Sequence, residues 1–452
     1  MQSSQIINKP LRGDMSENQE VNKRYRTFAL VLLTIVYGFN FIDRQILGIL
    51  APFIQKDLGL TNTQLGLLIG LAFATFYTAV AIPIAWLADR YNRVNILAIA
   101  LATWSGFTAL TGMANNFLQI GLARMGVGIG EAGGSPPSHS IISDLYAKHE
   151  RAGALGVYSI GIPLGIMSAY FVTASLIGAD TDAVNWRRIF VILGVTGIAL
   201  AVVVRLVLRE PKRGAMEFDA DTEITKPPFM ESLKVLLKIP SWWFMAFGIA
   251  FASFVSYAFS GFQTKYLVIL DPEFNFKTVI IILGVINGTT YAAGTYIGAK
   301  LADVWGGKDI RAYGWIPAIA IAFAFVIGFL TLWAPTIPLH LTGTTFLLFF
   351  LGMYLGPSFA IAQTLAPINM RAMSTALFFF ILNMIALGGG PTFAGYMNDV
   401  FEADFEKLTA IRLALSATGL MFIPSIISFL IVSKKIKKDW ENADKHNKAL
   451  AK

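Results

Sequence analysis

The chain is 452 residues long, 55% hydrophobic and only 14% charged, with no cysteine. A soluble fold of this length cannot bury so much apolar surface, which excludes a soluble enzyme, and the composition equally excludes a disordered chain or a disulfide-stapled secreted scaffold. The net charge of +8 raises the question of nucleic acid, but the basic residues are placed as a membrane-topology signal, and no nucleic-acid partner is expected. The class that remains is an all-α polytopic membrane protein.

A spanning helix takes about 20 mostly apolar residues. After a polar tail over residues 1–26, the first apolar run is too long for the core of a cleaved signal and reads as an uncleaved anchor. Twelve spans are predicted, over 27–54, 63–87, 94–114, 117–142, 152–177, 187–208, 241–268, 278–300, 312–334, 339–366, 373–397 and 409–432. The charged, Pro-containing stretch 209–239 divides them into two six-helix bundles, 27–208 and 240–433, with a tail over 434–452. If the N-terminus is cytoplasmic, 27 of the 36 Lys and Arg fall on the cytoplasmic side and 7 outside, Lys265 among the latter. That bias sets both termini inside and allows contact with anionic membrane lipids.

The two halves repeat each other weakly. Leu87-Ala88-Asp89 follows the second span and Leu301-Ala302-Asp303 the eighth; Pro136 in span 4 matches Pro357 in span 10. Arg151-Ala152 precedes span 5 and Arg371-Ala372 precedes span 11. Gly161-Ile162-Pro163 and Gly389-Gly390-Pro391 interrupt those same two spans. Ordered matches of this kind suggest duplication of a six-helix unit, the layout of a two-domain rocking transporter. The Gly/Pro breaks free backbone groups and permit bending, although they suit close helix packing equally well.

The segment Ala85-Trp86-Leu87-Ala88-Asp89-Arg90-Tyr91-Asn92-Arg93 resembles the loop 2–3 signature of the major facilitator superfamily, with Ala85 and Asn92 standing where that pattern usually has Gly. The resemblance implies a cytoplasmic latch between the two bundles carried by Asp89, Arg90 and Arg93, and more weakly by Asp303, which is followed by Val304 instead of Arg. Phe41-Ile42-Asp43-Arg44-Gln45 in span 1 and Arg124-x-Gly126-x-Gly128-x-Gly130-Glu131 in span 4 are similar to the Spinster branch of that superfamily. Its members export sphingosine-1-phosphate and lysophospholipids, and it has bacterial homologues. The likeness covers the first six spans well and the second six only in layout. It implies a multi-pass protein of the bacterial inner membrane, with Asp43 and Glu131 as proton-switching carboxylates and Arg44 near the substrate head group.

The residues support such a reading independently. An ionisable group near mid-membrane costs about 2.5–3.5 kcal/mol on insertion scales, and such groups mark ion or substrate pathways. At about 1.5 Å per residue, Asp43 lies roughly 24 Å from the start of span 1, and Arg124 and Glu131 lie roughly 10 and 21 Å into span 4. Arg124 and Glu131, seven apart, share a face. Adjacent Asp43 and Arg44 diverge, which suggests Asp43 paired with Arg124 and Arg44 facing the cavity and exchanging with Glu131. A carboxylate in low dielectric can load and release a proton in the working pH range. An Arg stays charged and can hold an anionic head group bidentately. Arg124 is a second head-group candidate, or serves only to orient Asp43. The alternative for all four is a static ion-pair network fixing spans 1 and 4.

The second half has no matching charges. Its Asn287, Gln363 and Asn383 are candidate polar contacts in the cavity, or interhelical hydrogen bonds. His139 is read as a packing residue, and His340 is placed in a loop. No metal-ligand spacing and no cofactor motif occurs, and the absence of a phosphate-binding loop points to a gradient as the energy source. The expectation is a monomeric, proton-coupled transporter of an amphiphilic anionic lipid, not an enzyme. The alternative on the same fold is a transporter of a soluble organic anion or sugar acid.

Overall fold

The computed structural model describes residues 14–146, 150–177, 184–211, 229–367 and 370–450. Helix α1 (Asp14–Leu58) makes the first crossing and already begins within the polar tail. Helices α2 (Asn62–Ile69) and α3 (Leu71–Arg90) make the second, jointed at Gly70, and α4 (Arg93–Thr111) makes the third. The fourth is α5 (Phe117–Glu131) with α6 (Ser135–Leu145), the fifth α7 (Arg151–Ser159) with α8 (Gly161–Leu176), and the sixth α9 (Trp186–Val207). A short helix, α10 (Phe229–Leu237), precedes the second set. That set comprises α11 (Pro240–Leu270), α12 (Phe276–Gly306), α13 (Ala312–Leu332), α14 (Ile337–Gly352) with α15 (Leu355–Thr364), α16 (Arg371–Leu382) joined to α17 (Gly390–Glu402), and α18 (Lys407–Gly419) with α19 (Phe422–Leu450).

Eleven stretches among the described residues are long and apolar enough to cross a membrane. The twelfth path is α5–α6. Its pieces are 15 and 11 residues long, each too short alone, because Gly133-Gly134-Ser135-Pro136-Pro137 interrupts the hydrogen-bond ladder. The predicted break near Gly161–Pro163 falls at Ile160, between α7 and α8. Of the glycines before Pro391, Gly388 and Gly389 lie in a π-helical turn, Asn383–Gly389, and Gly390 opens α17. Four crossings open on an asparagine whose side chain accepts from the backbone three residues on: Asn92, Asn116, Asn185 and Asn275. Each such cap stabilises its helix by about 1 kcal/mol.

Twelve crossings place both described ends on one face, called here the termini face. Among the described residues, helices from the two halves meet chiefly at α2 on α17, α8 on α12, α1 on α11, and α3 on the π-helical turn. Small residues permit these approaches. Gly48 lies where a Cβ would stand 3.4 Å from Gly261 Cα, and Gly70 where one would stand 2.7 Å from the Gly388 carbonyl. These contacts gather toward the face opposite the termini. Toward the termini face, Ile82 and Trp86 of α3 and Phe379 and Phe380 of α16 are exposed.

Two placements differ from the sequence reading. His340 is not in a loop: it lies fully buried in α14, its Nδ1 3.0 Å from the Thr331 carbonyl, with its ring stacked on Tyr266. Lys265 is not a loop residue either, since α11 continues to Leu270 and buries it. In both cases the residue falls near the end of its own predicted span, and tertiary partners satisfy a polar group that composition alone assigns to solvent.

Candidate transport site

The site begins with the alternate glycines of α5. At Gly128 a Cβ would stand 2.7 Å from the Phe73 carbonyl, and at Gly130 2.5 Å from the Trp104 nitrogen. Without side chains there, α3 and α4 press directly against α5 and carry Phe73, Tyr77, Trp104 and Thr108 to the charges on α1 and α5.

Arg44 Nε donates to Glu131 Oε2 at 2.7 Å, the pairing expected from the sequence. The Glu131 side chain is fully buried, whereas that of Arg44 retains 16% exposure. The Arg44 guanidinium is ringed by aromatics, with its central carbon 4.6 Å from the centroid of Tyr77, 5.1 Å from Phe73 and 5.2 Å from Phe41. Arg124 also stands against Phe73, at 5.2 Å, but is itself buried. Asp43 is wholly buried and faces Glu131, Arg124, Thr108 and Trp104. Neither of its oxygens completes a hydrogen bond, and the Arg124 Nε is likewise without a partner. The Asp43–Arg124 relation is therefore one of proximity, while Arg44–Glu131 is a formed ion pair. Of the four charges, Arg44 alone reaches open space.

The second half contributes Tyr257 of α11, which faces the Arg44 guanidinium. One residue further along α1, Gln45 Nε2 donates to Ser260 Oγ of α11 and to the Tyr170 hydroxyl of α8, both at 3.1 Å. Asn287 donates to the Leu283 carbonyl within its own helix at 2.9 Å. Gln363 is exposed on α15, and Asn383 opens the π-helical turn. None of the three is brought to the charge cluster. His139 packs edge-on against Tyr158 with centroids 5.3 Å apart.

The described signature-loop side chains bind within their own half or the start of the linker, not across to the other half. Arg93 is buried, with Nε 2.6 Å from Glu210 Oε1, Nη1 2.8 Å from Ser140 Oγ and bonded also to Asp144, and Nη2 2.9 Å from the Pro211 carbonyl. Arg90 is exposed and stacks on Trp86 at 3.8 Å. Asp303 accepts from the Tyr313 hydroxyl at 2.8 Å. The side chain of Asp89 lies outside the described residues.

Residue-by-residue reading missed Phe73, Tyr77, Trp104, Thr108 and Gln45. The signal that points to the four on α3 and α4 is the Gly126-x-Gly128-x-Gly130 spacing, which marks where those helices touch α5; Gln45 stands beside Arg44 in the span 1 motif, and its partners lie on α8 and α11.

A twelve-path helical bundle with buried charges at the junction of its halves defines a membrane transporter. The sequence profile of the Major Facilitator Superfamily matches residues 33–391, and the chain belongs to that family. It is 28% identical over 422 residues to an MFS-type efflux pump of Mycolicibacterium smegmatis, covering 91% of this chain and 93% of that protein. It is 26% identical over 412 residues to the hexuronate transporter of Bacillus subtilis, covering 88% and 94%. The crystal structure of a bacterial homologue of the human lysosomal transporter Spinster, inward-facing and unoccupied, superposes with a TM-score of 0.84 at 28% identity, over 92% of this chain and 98% of that one. The resemblance to the Spinster branch is thereby supported across both halves, beyond the first six spans to which the motifs confined it. Family and fold are those of transporters, not of enzymes.

Proposed function

We propose that the protein is a proton-coupled secondary transporter of an organic anion, working by alternating access between two six-helix halves, 27–208 and 240–433. The observation that carries this reading is the Arg44–Glu131 pair: a fully buried carboxylate holds the one arginine of the cluster that reaches open space. Proton arrival at Glu131 removes the negative partner and leaves Arg44 to recruit an anionic group from the cavity; proton loss restores the pair and ejects the anion. Asp43 serves as a second proton site. Arg124, buried behind Phe73, supplies counter-charge to both carboxylates. Arg90, Arg93, Asp89 and Asp303 form the cytoplasmic latch in the opposite state. The termini face is the cytoplasmic one, as the Lys/Arg bias directs, and the exposure of Ile82 and Trp86 on α3 and of Phe379 and Phe380 on α16 toward that face supports an inward-open cavity.

The cargo we favour is an amphiphilic anion such as a lysophospholipid, with its phosphate on Arg44 and its chain against the apolar rim of Ile82, Trp86, Phe379 and Phe380. The full-length match to a hexuronate transporter supports the second reading, a sugar acid whose carboxylate takes the same place. Uptake into proteoliposomes under an imposed pH gradient tests both. Accumulation of a fluorescent lysophospholipid, lost in Asp43→Asn, supports the first reading. Accumulation of a hexuronate alone replaces it with the second. Movement of neither cargo in response to the gradient overturns proton coupling.

A further inference from the structure

The face opposite the termini carries a polar interlock that no transport role described above uses. It is built on the tight turn from α1 to α2. Gly59, with φ of 61°, reverses the chain, and Leu60 N–H closes on the Gln55 carbonyl at 3.1 Å. Thr61 and Gln64 then form a reciprocal capping box. The first turn of α2 still has backbone donors to satisfy, and a residue from the other half satisfies them. Asp399 of α17 accepts from Asn62 N–H at 2.9 Å, from Thr63 N–H at 2.7 Å and from the Thr63 hydroxyl at 2.5 Å. A carboxylate at a helix N-terminus is favoured both by these donors and by the helix dipole.

The same turn is gripped a second time. The buried Lys265 of α11 donates to Asn62 Oδ1 and lies 4.0 Å from Glu402 Oε1 of α17. Asn62 Oδ1 also accepts from Gln55 Nε2 of α1 at 2.8 Å. Asn62 therefore offers its N–H to an acid and its amide oxygen to a base, both from the second half. Beneath this polar layer the backbones cross almost in contact, with Gly66 against the Pro391 carbonyl and Gly395 against that of Asn62. Thr392 Oγ1 reaches the Gly66 carbonyl at 3.3 Å.

We propose that Asp399 and Lys265, closing on Asn62 and Thr63, form the interlock that holds the opposite face shut, and that this contact must break before a cavity can open there. The inference rests on the alternating-access reading. Hydrogen bonds to a charged group contribute about 1.5–3 kcal/mol, which corresponds to a shift in opening of roughly tenfold to hundredfold when the charge is removed.

The chain has no cysteine, so one introduced thiol reports alone. Ile69 lies in the seam against Gly261, and Ile69→Cys places the reporter there. A membrane-impermeant maleimide is added from the face opposite the termini, and the initial labelling rate is read. Adding Asp399→Asn should raise that rate at least about tenfold, and adding Thr63→Val, which removes only the hydroxyl, should raise it less. Folding of each variant is checked by monodispersity in detergent. If Asp399→Asn is not recovered folded, Lys265→Met serves in its place, with a rise again expected. Labelling of folded Asp399→Asn or Lys265→Met at the parent rate overturns the interlock. If the parent's labelling responds to a pH gradient while Asp399→Asn stays at parent level, the interlock fails and the transport reading stands. If Asp399→Asn labels faster while the parent moves no cargo under any gradient, the interlock stands and the transport reading fails.

Discussion

Replacing Glu131 by Gln separates the charge of the central pair from its shape. Glutamine is nearly isosteric and keeps an oxygen that can accept the Arg44 Nε–H, now 2.7 Å from Glu131 Oε2. A hydrogen bond with an ionised partner contributes about 1.5–3 kcal/mol and a neutral one about 0.5–1.5, so the expected cost to stability is about 1–2 kcal/mol. Arg44 stays partly compensated by Phe41, Phe73 and Tyr77, and the variant should fold. Glu131→Ala removes the acceptor as well and leaves a cation in a largely buried site, at a cost of about 3–5 kcal/mol, and should be recovered poorly. Function divides differently. Gln is fixed in the neutral state that releases Arg44 for an anion, so exchange of cargo across the membrane at equal pH should persist while accumulation driven by a pH gradient is lost. The assay is paired counterflow and gradient-driven uptake in proteoliposomes, with proton movement followed by an entrapped pH dye. Gradient-driven accumulation by Glu131→Gln at the parent's level would refute the coupling role, and Glu131 would then be a structural partner of Arg44.

Arg44→Lys keeps the charge but loses the planar fork, so half-saturation by an anionic cargo should rise about tenfold with folding unchanged, measured by concentration-dependent uptake. Arg93→Ala removes the buried guanidinium that ties Glu210, Asp144, Ser140 and the Pro211 carbonyl together and should cost about 3–5 kcal/mol in thermal stability. Arg90→Ala, at an exposed stacking site, should cost under about 1 kcal/mol. A matching loss in both variants would contradict the distinction drawn from their burial. Gly294 packs against the Phe349 backbone and Gly298 against that of Met353, so Gly294→Val should lower the unfolding midpoint by an amount corresponding to about 1–3 kcal/mol, read by thermal unfolding in detergent.

Hydrophobic length alone made the crossings legible, because lipid forces every backbone group into a helix and so ties sequence to structure run by run. The breaks at Pro136-Pro137 and Gly161–Pro163 were legible for the same reason, since proline and glycine act locally. The Arg44–Glu131 pair could be placed by counting residues per turn along two helices. What lay beyond such counting was every contact whose partner sits far along the chain. Lys265 looked like a loop cation because its acceptor, Asn62, is 203 residues away. Asp399 drew no notice because its donors are backbone amides at the start of α2, and nothing in its own neighbourhood marks them. Asn287 shows the same limit at short range: a polar residue in an apolar helix does not reveal in sequence that its amide donates to a carbonyl one turn back.

Helix α1 joins the charge cluster to the opposite face. Asp43 and Arg44 meet α5, Gln45 reaches across to Ser260, Gly48 lies against Gly261, and Gln55 holds Asn62. From Arg44 to Gln55 is eleven residues, or about 17 Å of continuous helix. A rotation or tilt of α1 that follows loss of the Arg44–Glu131 pair must therefore displace Gln45 and Gln55 together, since nothing between them breaks the helix except the proline at position 52. Helix α11 mirrors this arrangement, carrying Tyr257 beside Arg44, Ser260 on Gln45, Gly261 on Gly48 and Lys265 on Asn62. Site and interlock are thus two ends of one α1–α11 seam. On the proposed mechanism, a proton or an anion that changes the geometry at Arg44 would act on the polar contacts of the far side along these two helices, without a relay through the rest of the bundle.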